Sequence, residues 1–218
     1  MTVSMGLAMV AAGVTAASVA ELRRAHADFA KTKVEYTLAE AQQRGVVDLL
    51  RNTAAGRLAW KLDTDLGEAS LLAEPEYAKA SFTAAAKADD RLLNRLGVQD
   101  TDALKARLAE PPPETGGQAW IVGLDGARLW RVCAPSLVSR YGQGETLALA
   151  ESSPPAGQGF SWRPGEVWRV RASLAGWVED RIVRLTGDDQ GPAAIIERRF
   201  ARDEKGEGRC EAVFSQAE

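Results

Sequence analysis

Few residues in this chain combine the type and the spacing that chemistry requires. The one histidine, His26, stands beside Arg24, Ala25 and Asp28, and no serine or cysteine occupies a recognisable nucleophile elbow, so a Ser-His-Asp triad has no basis. Two cysteines, Cys133 and Cys210, are too few for a four-cysteine zinc site or a disulfide scaffold, and one histidine is too few for most histidine metal centres. Asp63-Thr64-Asp65 with Glu68 lacks the repeated oxygen ligands and glycine spacing of a calcium loop and reads as a turn. Gly142-Gln143-Gly144 has no strand-to-helix setting for a phosphate cradle and reads as a loop. The residues thus predict no catalytic group, no cofactor and no small-molecule substrate, and define no metal ligand set.

The composition narrows the remaining classes. Of 218 residues, 27 are Lys or Arg and 30 are Asp or Glu, and the net charge of -3 excludes a nucleic-acid binder that relies on bulk charge. Hydrophobic residues at 45% and charged residues at 26% are a globular balance, enough for one large or two small cores.

Charge is absent from Met1 to Ala20. A stretch of this length can cross a hydrocarbon core of about 30 Å as a helix. It is rich in Ala, Val, Met, Gly, Ser and Thr with the single leucine Leu7, so three readings compete: a membrane anchor, a secretory signal peptide and a buried soluble helix. Ser18 and Ala20 have the spacing of a signal cleavage site before Glu21, but no basic region precedes them. Beyond Ala20, apolar residues recur at Leu22, Ala25 and Phe29, then Val34, Leu38 and Ala41, then Val46, Leu49 and Leu50, with charged and polar residues between. No proline occurs before Pro75. The pattern predicts one continuous helix over 5–57, uncharged over 1–20 and amphipathic over 21–57.

The remaining elements are shorter. Residues 58–82 hold a hairpin: Leu58, Trp60 and Leu62 alternate with polar residues, and Asp65-Leu66-Gly67 makes the turn. Residues 83–150 form a helical subdomain and its connection, with helices expected over 83–97, 101–109 and about 126–131; Gly97 stops the first, and Asp100 or Thr101 caps the second. After a linker at 151–165, antiparallel strands fill 166–200, with Ala175-Gly176 as a two-residue turn, and a charged tail occupies 201–218. Trp120, Trp130, Trp162, Trp168 and Trp177 are expected in the core or between strands. The fold class is α+β, with the helices over 83–109 and the strands over 166–200 expected to bury their apolar sides on one another and on the long helix.

In this order of elements the chain resembles the minor pseudopilin K family of type II secretion systems. The resemblance rests on Ala41-Gln42 and Gly45-Val46-Val47 before Leu49-Leu50, on 80–85 through 92–98, on 134–139, and most closely on Gly165-Glu166-Val167-Trp168-Arg169-Val170-Arg171-Ala172, 181–185 and 195–198. It covers nearly the whole chain. It implies a pilin-like helix packed on a small antiparallel sheet, with an inserted helical subdomain that is reduced here.

The resemblance also implies a function. The protein would be a non-enzymatic subunit at the tip of the periplasmic pseudopilus that helps to initiate its assembly, anchored by a single pass in the bacterial inner membrane, its globular domain in the periplasm and other minor pseudopilins as partners. Leader cleavage between Gly6 and Leu7 would put Ala11 at the fifth mature position, where major pseudopilins carry a glutamate. A subunit with none above it needs no such buried carboxylate. Small residues such as Ala12 and Ala16 would admit close helix packing, and Phe29, Val34 and Leu38 would face partner helices. Calcium enters by the resemblance alone. In an oxidising periplasm Cys133 and Cys210 would be free to pair, provided that their Cα atoms lie within about 7 Å. The alternative is a periplasmic α+β binding or enzyme domain with an N-terminal signal peptide.

Overall fold

An unbroken helix, α1 (Thr2–Arg51), opens the chain, and at about 1.5 Å per residue it is ~75 Å long. The computed structural model describes residues 2–51, 56–114, 116–149, 163–188, 190–203, 210 and 212–214, with side chains left out for 2–16 and Gln118. Gly6, Leu7, Ala11, Ala12 and Ala16 therefore lie on the backbone of α1 while their side chains fall outside the described residues, as do Trp162 and most of the 151–165 linker. The helix ends six residues before the expected Arg57. By then the chain has reached the sheet: Leu58 pairs with Ala73, and the Arg57 guanidinium lies 3.6 Å from Glu74. Residues 52–55 lie outside the described residues, and Gly56 and Arg57, expected in the helix, are not helical.

Five strands follow in one antiparallel sheet of sequential order: β1 (Leu58–Thr64), β2 (Gly67–Pro75), β3 (Val167–Leu174), β4 (Trp177–Leu185) and β5 (Ala193–Arg202). Thr64 pairs with Gly67 across Asp65-Leu66, and Leu174 with Trp177 across Ala175-Gly176. Ala175 and Gly176 have φ of 52° and 75°, the left-handed pair that a two-residue hairpin needs to match strand twist. β4 and β5 shift register between Ile182 and Val183, so Ile196 is bulged. β5 runs to Arg202, so the first two residues of the expected tail belong to the sheet.

The sheet has two unlike faces. Toward α1 it turns Leu71 and Ala73 of β2, Trp168, Val170 and Ala172 of β3, and Val183 and Leu185 of β4, which pack with Val34, Leu38, Ala41 and Leu49. Gly45 allows the close approach: a Cβ there would stand 2.6 Å from Leu71 Cδ2.

Between β2 and β3 lies a helical subdomain with, among the described residues, five α-helices, α2 (Phe82–Ala85), α3 (Asp90–Arg95), α4 (Thr101–Ala109), α5 (Gly117–Gly123) and α6 (Arg128–Leu137). The helix expected over 83–97 is two: Ser81 caps α2 by accepting from Ala84 N, and Asp89 caps α3 by accepting from Arg91 N, and two caps eight residues apart in one stretch favour two short helices. Gly97 at φ 82° stops α3, and Asp100 caps α4, as expected. α5 is an element that periodicity did not reveal, and α6 extends through Pro135.

Contrary to expectation, these helices do not share a core with the strands. Leu93, Leu96, Leu104, Leu108, Trp130 and Leu137 bury one another. Cys133 and Cys210 form a disulfide with Cα atoms 5.5 Å apart, which brings Val213 and Phe214 onto the same core.

Candidate functional site: the outward face of the long helix

The densest cluster of titratable groups lies where the subdomain meets the sheet. Glu74 of β2, Arg169 of β3 and Asp180 of β4 point away from α1 and are buried together with Glu76, Lys79, Ser136 and Ser139. Arg169 donates to Asp180 Oδ1 at 2.8 Å, to Ser136 Oγ at 3.0 Å and to Glu74 at 3.4 Å. Lys79 donates to Glu76 and to the Pro135 carbonyl, and Ser139 donates to the other oxygen of Glu76. Burial alone would push the Glu74 carboxyl up, but Lys79, Arg169, Arg57 and the Ser136 hydroxyl hold it below its ordinary value. Asp180 is lowered in the same way: burial opposes, and Arg169, Arg171 and Arg199 prevail.

A serine, a lysine and a carboxylate in mutual contact resemble hydrolytic machinery, but the void beside Glu76 and Ser139 is about 10 Å³, no larger than one water requires. This cluster seats the subdomain on the sheet. A further tie runs from Gly117 N to Glu197 Oε1 of β5 at 3.1 Å.

The other face of the molecule is open. Residues 17–33 of α1 are exposed, and the helix meets the sheet only from about Val34 onward. The apolar positions that the sequence presents as one stripe are two. Val34 (8% exposed) and Leu38 (0%) face the sheet, whereas Phe29 (71%) and Tyr36 (74%) face solvent. At 3.6 residues per turn, Phe29 and Val34 are roughly 140° apart around the helix. Val34 and Leu38 are thus corrected from a partner interface to an intramolecular one; Phe29 stays free.

Polar contacts fix which face turns out. Gln42, fully buried, donates to the carbonyls of Val170 at 2.8 Å and Glu179 at 2.6 Å. Glu35 accepts from Arg198 of β5 at 2.9 Å, and Arg198 also donates to Glu179 at 2.6 Å. Sequence periodicity passes over Gln42; its signal was an amide lodged inside an otherwise apolar stripe. Along the outer side a groove of about 640 Å³ runs between Val46, Val47 and Arg51 of α1 and Arg181 of β4, Ile195 of β5 and Pro192 just before it. Leu22, Val47 and Ile195 extend the exposed apolar surface.

Other candidate residues take structural places. His26 is exposed on α1. Asp63 lies in β1 and Asp65 in the β1–β2 turn, and Glu68 pairs with Lys61 at 2.6 Å. Gly142 and Gly144 lie against the carbonyls of Lys79 and Ala80, a loop packed on backbone. Trp130 and Trp168 are fully buried, Trp120 meets Phe82 edge-on, and Trp177 stacks on Phe200. Among the described residues no cluster of three or more His, Cys, Asp or Glu is placed to hold a metal, and no helix is long and apolar enough to cross a membrane. No family model, curated protein or solved structure matches the chain.

Proposed function

We propose that this protein is a minor pseudopilin of a type II secretion system, a non-enzymatic subunit that sits at the tip of the periplasmic pseudopilus and helps to start its assembly. One observation carries the reading: α1 is packed on its own sheet from Val34 onward, while residues 17–30 stand clear of the domain and continue an uncharged stretch, Met1–Ala20. A helix that projects bare from a globular body needs a second environment for its apolar residues, and a membrane that later gives way to a bundle of neighbouring helices supplies one. The helical subdomain inserted between β2 and β3 fits a terminal position, where added bulk meets no subunit above.

The inner membrane and the other minor pseudopilins are the partners of this reading, with the sheet and subdomain in the periplasm. An oxidising compartment is consistent with the Cys133–Cys210 disulfide. The test is to recover the full-length protein from cell membranes and sequence its N-terminus. A mature start at Leu7, membrane fractionation and co-isolation with the other minor pseudopilins are expected. A start at Glu21 with release into the soluble periplasmic fraction would replace the reading with a signal-peptide-bearing binding or enzyme domain.

A further inference from the structure

We propose that the outward face of α1 pairs in parallel with the same face of a second copy of this chain. Leu22, Phe29 and Tyr36 recur every seven residues, and Ala25, Thr32 and Ala39 follow each by three. Large residues alternating with small ones at this spacing make a seam that another helix fills at a shallow crossing angle. The three large side chains are 59%, 71% and 74% exposed, more apolar surface than the fold itself explains. Tyr36 stands roughly 160° around the helix from Leu38, which is sealed against the sheet. Two copies therefore meet back to back with their sheets pointing outward.

Charge selects both the occupant and its direction. Glu21, Asp28 and Glu35 each precede a large seam residue by one place and line one flank; His26 and Lys33 follow Leu22 and Phe29 by four places and line the other. In a parallel pair the first flank of one helix faces the second flank of its neighbour five residues on. Asp28 then meets Lys33 of the second copy and Glu21 meets His26, each contact made twice by symmetry. Antiparallel helices would set acid against acid. The two carboxylates that break the pattern are already engaged: Glu40 with Arg44 at 2.5 Å and Glu35 with Arg198 at 2.9 Å. This pairing uses described residues of α1 alone and goes beyond the pseudopilin reading without depending on it.

The experiment is oxidative cross-linking of the full-length chain in phospholipid vesicles and in detergent micelles, with single cysteines at Ala25 and Ala27. Both are exposed alanines, two residues apart, one on the seam and the other roughly opposite it. A25C is expected to give about tenfold more covalent dimer than A27C, and Tyr36→Cys to behave as A25C does. In the A25C background, Asp28→Lys should cut the yield about tenfold and the double variant D28K/K33D should restore it, because the swap rebuilds both pairs. Equal yields at A25C and A27C, or no rescue by the swap, overturns the proposal. Vesicle flotation is scored separately: a chain that cross-links but does not float keeps the pair and loses the membrane anchor, and a chain that floats without the cross-link does the reverse.

Discussion

The two faces of one sheet are sealed by opposite chemistry. Against α1 the seal is apolar and close, with Leu38, Ala41 and Leu49 on Leu71, Ala73, Trp168 and Val170 and with Gly45 leaving room for the Leu71 side chain. Against the subdomain it is ionic: Glu74, Lys79, Arg169 and Asp180 are buried side by side. An apolar seal is non-directional and gains with area. A buried ionic one gains little net stability but is very sensitive to the loss of any member, and it admits a single arrangement of its partners. The difference teaches that α1 and the sheet form the stable body, whereas the subdomain, which has its own core, is oriented on that body by charge.

The sharpest way to break this comparison is to remove one charge. Arg169→Ala leaves Asp180 buried without its main cation and takes from Glu74 one of the three cations around it, and a loss of about 3–5 kcal/mol in denaturant unfolding is expected. A loss below about 1 kcal/mol would mean that water reaches the seat and that the two faces are not so different. On the apolar face, Leu38→Ala should cost about 3 kcal/mol by the same measurement, through lost burial and a cavity against the sheet.

Acid separates the faces without mutation. Glu74 and Asp180 have carboxyls lowered in the folded state, so the stability they contribute is complete above the ordinary carboxyl range of about 4 and is lost as the pH falls through the lowered values. As the pH is lowered from 7 to 3, amide protection, corrected for the intrinsic exchange rate at each pH, should therefore fall in α6, next to the seat, before it falls in β2 and β3 opposite α1. Simultaneous loss in both would mean that the body and the subdomain unfold as one unit. The smallest effect is expected at Phe29→Ala, which should leave unfolding within about 0.5 kcal/mol of the parent, since its ring touches no core.

Much of the fold was legible because it depends on local rules. The turn at Ala175-Gly176 and the stop at Gly97 follow from glycine and stand where they were read, and of the two cap candidates Asp100 and Thr101 the structure uses Asp100. α5 was not legible, because a seven-residue helix beginning at Gly117 after a proline run has too few turns to establish a period. The candidate surface was half legible. Its residues stood out as apolar, but Phe29 and Val34 were assigned to one stripe because the five-residue step between them was passed over as a break in spacing.

By itself, then, the sequence determined the long helix, the hairpin turns and the absence of charge over its first residues, all of which rest on neighbours within a few positions along the chain. Only the tertiary structure decided which side of α1 is sealed and which is left open, because that depends on Gln42 reaching carbonyls 128 and 137 residues away and on Glu35 meeting Arg198. It likewise decided that the charged side of β3 is buried rather than solvated and that Cys133 meets Cys210. A side chain's period along the chain tells which residues share a face, but what that face meets is set by segments that the chain brings back from far away.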